Sequence, residues 1–324
     1  MRVITTTAPG GPENLTVTQA PTPVPAPGEV LVAVRACGVN RADLLQRQGH
    51  YPPPPGASDV IGLEVSGTVA GFADDVAGWS VGEPCVALLA GGGYAEYVAV
   101  PAGQVMTPPP GMDLVTAGGL VEVAATVMSN MDAARLTSGE TLLVHGGAGG
   151  IGTFAIQYGK AVGARVIVTA GTPDKRELCL HLGADTALDY HDDWVAQLKE
   201  ATDGHGADVI LDVMGASYLE SNVVALAADG RLVIIGLQGG RKGTLDVNRL
   251  LNKRATVMAT ALRSRPLAQK AAICAEVQRR VWPLVGAGTI KPAPETRFAF
   301  ADVADAHRRL ESGENTGKVL LTLP

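Results

Sequence analysis

Three groups of residues have the types and spacing to carry chemistry. The first lies in the run LLVHGGAGGIG, where Gly147, Gly149 and Gly152 satisfy G-x-G-x-x-G directly after an apolar strand pattern and before a helical one. In such a loop the first glycine permits a tight turn, the second lets backbone approach a pyrophosphate, and the third lets helix and strand pack closely. The following helix presents free N–H groups and a partial positive charge to the phosphates. Gly147, Ala148, Gly149, Gly150, Ile151 and Gly152 therefore form a candidate dinucleotide cradle. A mononucleotide loop would want Lys-Ser/Thr after its last glycine, and here Thr153-Phe154 follows.

The second group sets which dinucleotide fits. An NAD site places Asp or Glu about 20 residues after the glycines, on the ribose 2′-OH. This chain has Thr169-Ala170-Gly171-Thr172 there, with no carboxylate before Asp174, and then Lys175. The missing carboxylate and the lysine favour a 2′-phosphate, hence NADP(H). The alternative for Lys175 is an ordinary solvated helix lysine. The third group is Tyr51, followed by Pro52–Pro55. Those prolines confine the tyrosine backbone to extended geometry and stiffen its loop. A phenol there could donate a proton or stack on a flat substrate, or it could simply pack on the prolines.

Other polar residues rate lower. His145 ends the first strand of the glycine-loop region and reads as a satisfied core histidine. His50 reads as a solvated loop residue, and Cys37 and Cys85 as small core residues. Glu64, flanked by apolar residues, needs a basic partner if buried.

The elements that must position these groups fall into two styles. From 1 to about 110, short apolar runs at 30–39, 60–72, 84–90 and 94–100 are broken by Gly and Pro, which predicts an antiparallel, barrel-like sheet. From about 121, β-branched runs at 141–146, 165–171, 186–190, 207–215, 230–236 and 256–262 alternate with amphipathic helical patterns. That rhythm predicts an α/β domain: a six-stranded parallel, doubly wound sheet of Rossmann type, covered on both faces. The tail after about 288 returns to the first style. The expected organisation is an antiparallel, barrel-like domain over 1–120, rejoined by 288–324, and a dinucleotide-binding domain over 121–287.

Composition narrows the classes. The 324 residues suit two domains at roughly 100–200 residues each. Hydrophobic residues make up 46% and charged residues 18%, which excludes a disordered chain. The net charge of −6 supplies no global field for nucleic acid or an anionic membrane. The four cysteines, 37, 85, 179 and 274, have no short spacing, which excludes a disulfide scaffold or a CxxC zinc knuckle. With no secretory or membrane-spanning pattern, the expectation is a cytoplasmic protein.

The segments 38–69, 145–157, 169–175 and 260–265 together resemble the zinc-free quinone oxidoreductase (zeta-crystallin-like) branch of the medium-chain dehydrogenase/reductase superfamily, and within it most nearly the tumour-suppressor-inducible subgroup. The resemblance runs nearly end to end. It implies that 1–120 with 288–324 is a GroES-like catalytic domain and 121–287 a Rossmann domain, with a substrate cleft between them, Asn40 and Thr126 beside the nicotinamide, and Tyr51 as a functional tyrosine. It also implies Gly149 and Ile151 under the pyrophosphate, and Gly171, Lys175 and Tyr190 around the 2′-phosphate. Further implied cofactor contacts are Gly236, Leu237, Thr260, Leu262, Arg263 and Lys318. Where zinc alcohol dehydrogenases carry a ligand cysteine and a His-Glu pair, this chain has Asn40 and Leu63-Glu64, so no metal is expected. The implied protein is an NADPH-dependent quinone reductase, homodimeric through the last Rossmann strand. Two alternatives stay open: an enoyl thioester or alkenal double-bond reductase, and a non-catalytic, crystallin-like or RNA-binding protein.

Overall fold

The computed structural model describes all 324 residues. The chain forms two compact units: residues 1–125, 262–288 and 292–324 in the first, and 126–261 with 289–291 in the second.

The first unit is built on antiparallel strands: β1 (Arg2–Thr6), β2 (Leu15–Gln19), β3 (Glu29–Val39), β4 (Glu64–Phe72), β5 (Pro84–Leu88), β6 (Tyr97–Pro101) and β7 (Val105–Met106). β1 pairs β2 as a separate ribbon. β3 is the hub of the main sheet, with alternating apolar residues that bury Val30, Val32 and Val34 in one core beside Val65, Val69 and Val100. It pairs β4 and β6, and its far half pairs the C-terminal strand. Pro52–Pro55 form no regular element.

The second unit carries the parallel sheet: β8 (Thr141–His145), β9 (Arg165–Ala170), β10 (Thr186–Asp189), β11 (Ala207–Asp212), β12 (Leu226–Ile234) and β13 (Thr256–Ala259). Its spatial order is β10-β9-β8-β11-β12-β13, all parallel. Counted from the first strand this is 3-2-1-4-5-6, the doubly wound order that reverses direction beside β8. Leu142, Leu143, Val144, Val166, Ile167 and Val168 are all fully buried, as a sheet covered on both faces requires.

The last strands, β14 (Glu295–Ala299) and β15 (Lys318–Thr322), return to the first sheet, β15 lying antiparallel to β3 from Val319↔Val39 to Thr322↔Ala36. The helix Leu267–Glu276 and its continuation to Gly286 also belong to the first unit, whereas the sequence pattern placed 262–287 with the parallel sheet. Two contacts account for this: Gly103 lets Ala271 approach, since a Cβ on it would lie 2.8 Å from the alanine methyl, and Trp282 donates its indole N–H to Thr107 O at 2.9 Å. No helix is long and apolar enough to cross a membrane.

Candidate active site

In the second unit, the candidate residues follow the C-terminal ends of the parallel strands. The glycine loop follows β8, Gly171 follows β9, Tyr190 follows β10, Gly236–Leu237 follow β12 by one residue, and Thr260 follows β13. Ligands of doubly wound sheets bind beyond this edge.

The glycine loop divides its tasks differently from the motif's usual order. The left-handed conformation falls on Gly146 (φ 72°), while Gly147 keeps an ordinary φ. Gly147 instead lets β9 and its helix approach: a Cβ would lie 2.7 Å from Val168 Cβ and 2.9 Å from the Cys179 sulfur. Gly152 packs the helix Gly150–Val162 onto the loop, where a Cβ would stand 2.5 Å from Gly147 Cα. Gly149, the N-cap of that helix, is open; a Cβ would meet only Gly146 O, at 3.5 Å. Open space beside a helix N-terminus at this glycine is the fit a dinucleotide pyrophosphate requires.

At the neighbouring strand end, Asp189↔Ala170 pairing sets Tyr190 beside Gly171. The Tyr190 phenol occupies the space a Gly171 Cβ would need. Thr172 caps the helix Pro173–His181 by accepting Lys175 N–H at 3.3 Å, which places Lys175 in the first turn. Asp189 accepts from Arg176 and from His191 N, so the carboxylate at this end is already engaged. Thr126 is 7% exposed and its carbonyl accepts from Asn130 at 2.7 Å; the Asn130 side-chain oxygen accepts from Thr260 Oγ1 at 2.6 Å. Asn130 thus ties two candidate residues together, and no local sequence signal marks it. Leu237 is largely exposed. His145 is a core residue, bonded to Thr169 and Asn222, with burial pushing its pKa down to about 4.

In the first unit, Asn40 precedes the helix Arg41–Arg47, and its N–H donates to Asp43 at 2.7 Å. Its side-chain amide donates to Glu64 at 3.0 Å. Lys318 donates to Asn40 Oδ1 and Glu64 Oε1, each at 2.7 Å, and Glu122 N donates to the other Glu64 oxygen at 2.9 Å. Glu64 is wholly buried, so Lys318 is the basic partner its position demanded.

Beyond Asn40 lies a buried chain of polar groups. Arg47 can only donate, so His307 Nδ1 accepts from it at 3.2 Å. The proton then sits on Nε2, which donates to the Tyr94 oxygen at 3.1 Å, and Tyr94 donates to Asp43 at 3.3 Å. Burial raises Asp43 to about 7 and lowers His307 to about 3.

Tyr51 is partly buried beneath the Arg263 guanidinium, which lies 5.1 Å from its ring centroid. Arg263 donates to Tyr51 O, to Ala90 O and to Gln46. Burial raises the Tyr51 pKa above the ordinary phenol value. Leu262 adjoins Arg263, and His50 is exposed.

Residues 26–110 match the family described as the alcohol dehydrogenase GroES-like domain, and residues 150–276 that described as zinc-binding dehydrogenase. A mycobacterial protein, Rv1454c, solved in complex with NADPH, is 30% identical over the full length of both chains with a TM-score of 0.91. The Escherichia coli quinone oxidoreductase, also complexed with NADPH, is 27% identical over both full lengths, TM-score 0.91. The phthioceranic/hydroxyphthioceranic acid synthase of Mycobacterium tuberculosis is 32% identical over 93% of this chain, which spans only 14% of that synthase. Zinc itself does not fit these residues. Asn40 and Leu63 offer no thiolate or imidazole, Glu64 is taken by Lys318, and no group of three or more His, Cys, Asp or Glu side chains could hold a metal ion.

Proposed function

The chain belongs to the quinone oxidoreductase branch of the medium-chain dehydrogenases/reductases, and from that premise we propose that it is a zinc-free, NADPH-dependent reductase of quinones or related electrophilic carbonyl compounds. The observation that carries the reading is the placement of the glycine loop, Gly171, Lys175 and Tyr190 at adjacent C-terminal strand ends, where β9 ends in Ala170 and is followed by Gly171 instead of a carboxylate. NADPH, when bound, supplies the hydride. The Gly149–Ile151 backbone holds the pyrophosphate through N–H groups. Lys175 and Tyr190 bind the 2′-phosphate, and Gly236, Leu237 and Thr260 complete the cofactor contacts. Asn40, fixed by Asp43, Glu64 and Lys318, would contact the nicotinamide end, and Thr126, held through Asn130, is a further proposed contact of the second unit.

A quinone asks little more of the protein, because its reduced anion is delocalised and takes a proton from water. The chain's part is then to position the acceptor and exclude wrong geometries. An unsaturated carbonyl needs a proton delivered to carbon, and Tyr51, a phenol protonated at neutral pH and seated beneath the Arg263 guanidinium, is the donor. The likeness to a segment of an acid synthase favours one second reading, reduction of an enoyl thioester. We also propose a cytoplasmic homodimer joined along β13, the edge strand of the parallel sheet.

Tyr51→Phe tests the assignment. It should lower kcat on an enone by about 10²-fold, the lower range of general-acid effects, and alter quinone turnover less. Unchanged kinetics with both acceptors would remove Tyr51 from the mechanism.

A further inference from the structure

The first unit contains a cavity of about 690 Å³, inside the range of roughly 300–1,000 Å³ usual for small-ligand sites. Its apolar wall includes Val60, Leu88, Leu89 and Val98. Neither Tyr51 nor Asn40 lines it, and no residue of the glycine loop does. Arg263 does line it, but its guanidinium is already committed to Ala90, Tyr51 and Gln46.

The unexplained group is Lys270, on the helix Leu267–Glu276. It lines the cavity and is 3% exposed, yet its ammonium makes a single long hydrogen bond, 3.5 Å to Arg263 O, and no salt bridge. Three proton-bearing positions with one weak acceptor leave a desolvated cation without a counter-charge, an arrangement that costs stability. Burial accordingly pushes its pKa down, against an opposing effect of Cys274 and with a smaller push from Arg263. The lining is cationic as a whole: Arg263, Arg265 and Lys270 face one carboxylate, Glu29, which accepts from Ala26 N at 2.9 Å.

We propose that this cavity is a second ligand site, for a small amphiphile whose single carboxylate pairs with Lys270 and whose hydrocarbon chain lies against Val60, Leu88, Leu89 and Val98. The carboxylate supplies the charge and the acceptors that Lys270 lacks. The apolar wall takes a chain that would otherwise order water, worth roughly 0.8 kcal/mol per buried CH₂.

The test is calorimetric titration of the full chain with decanoate and with decanol, which share a chain and differ in the head. Decanoate should bind the wild type, and Lys270→Met should weaken it at least tenfold while leaving decanol unchanged. Ala57→Trp, at the cavity wall, should abolish binding of both. Lys270→Met should keep or raise the melting temperature, since it removes an under-bonded buried charge; should it fail to fold, the Ala57→Trp arm decides alone. Equal decanoate affinity in wild type and Lys270→Met, full binding by Ala57→Trp, or no heat at all up to about 5 mM, a threshold near the weak end of specific binding, would overturn the proposal. Because binding is read as heat and not as turnover, the result does not depend on the reductase reading.

Discussion

Lys318→Met removes one charge from the cluster that fixes Asn40, and its cost follows from the geometry. Glu64 is 0% exposed and Lys318 7%. The ammonium donates to both Glu64 and Asn40 at 2.7 Å. Methionine keeps most of the stem and its packing, but leaves a buried carboxylate with two neutral donors, Asn40 Nδ2 and Glu122 N. Removing one partner of a buried pair costs about 3–5 kcal/mol, mostly the penalty of the stranded charge. Glu64→Gln in the same background removes that charge, so the double variant should be more stable than Lys318→Met alone. Urea unfolding followed by tryptophan fluorescence measures this, with Trp79 and Trp282 reporting from the same unit. A loss under about 1 kcal/mol for Lys318→Met, typical of exposed pairs, would refute the reasoning, as would a double variant less stable than the single.

Other outcomes follow from the same geometry. Lys175→Ala should raise the NADPH KM about 10-fold or more, the worth of one charge-assisted bond, and leave NADH nearly unchanged; equal effects on both cofactors would sink the 2′-phosphate assignment. Gly149→Ala should fold normally but lose NADPH affinity in fluorescence titrations, because its Cβ enters open space, whereas Gly152→Ala should lose stability by several kcal/mol because its Cβ meets backbone; equal melting temperatures for the two would contradict the loop's division of tasks. Asp43 titrates near 7 in the folded chain and near 4 unfolded, so the folded state holds the proton longer and this group costs stability increasingly as pH rises from about 4 to about 7. Asp43→Asn, neutral throughout, should therefore gain more over wild type at pH 8 than at pH 5 in chemical denaturation, and a pH-independent difference would refute the assignment.

What was legible in the sequence was local. The six strand runs, the glycine loop and the return of the tail to the first sheet all rest on periodicity and turn chemistry within a few residues, and each has its counterpart in β8–β13, Gly146–Gly152 and the β15–β3 pairing. The departures are non-local. Glu64 called for a basic partner, but Lys318 lies 254 positions away. The Arg47–His307–Tyr94–Asp43 chain joins residues up to 260 apart and has no motif. Helix 267–286 reads as a helix from its own residues, yet its place in the first unit depends on Gly103 and Thr107, far away in sequence. Within GGAGG, five adjacent positions offer several ways to make one turn; the left-handed residue falls at Gly146, while Gly147 serves the close approach to Val168.

The central claim is tested most directly by NADPH oxidation with the purified chain, an ortho-quinone and a trans-2-enoyl thioester run in parallel, with NADH as the control. The account predicts quinone turnover with kcat/KM for NADPH at least tenfold above that for NADH. Turnover of the thioester alone, or equal use of the two cofactors, would contradict it.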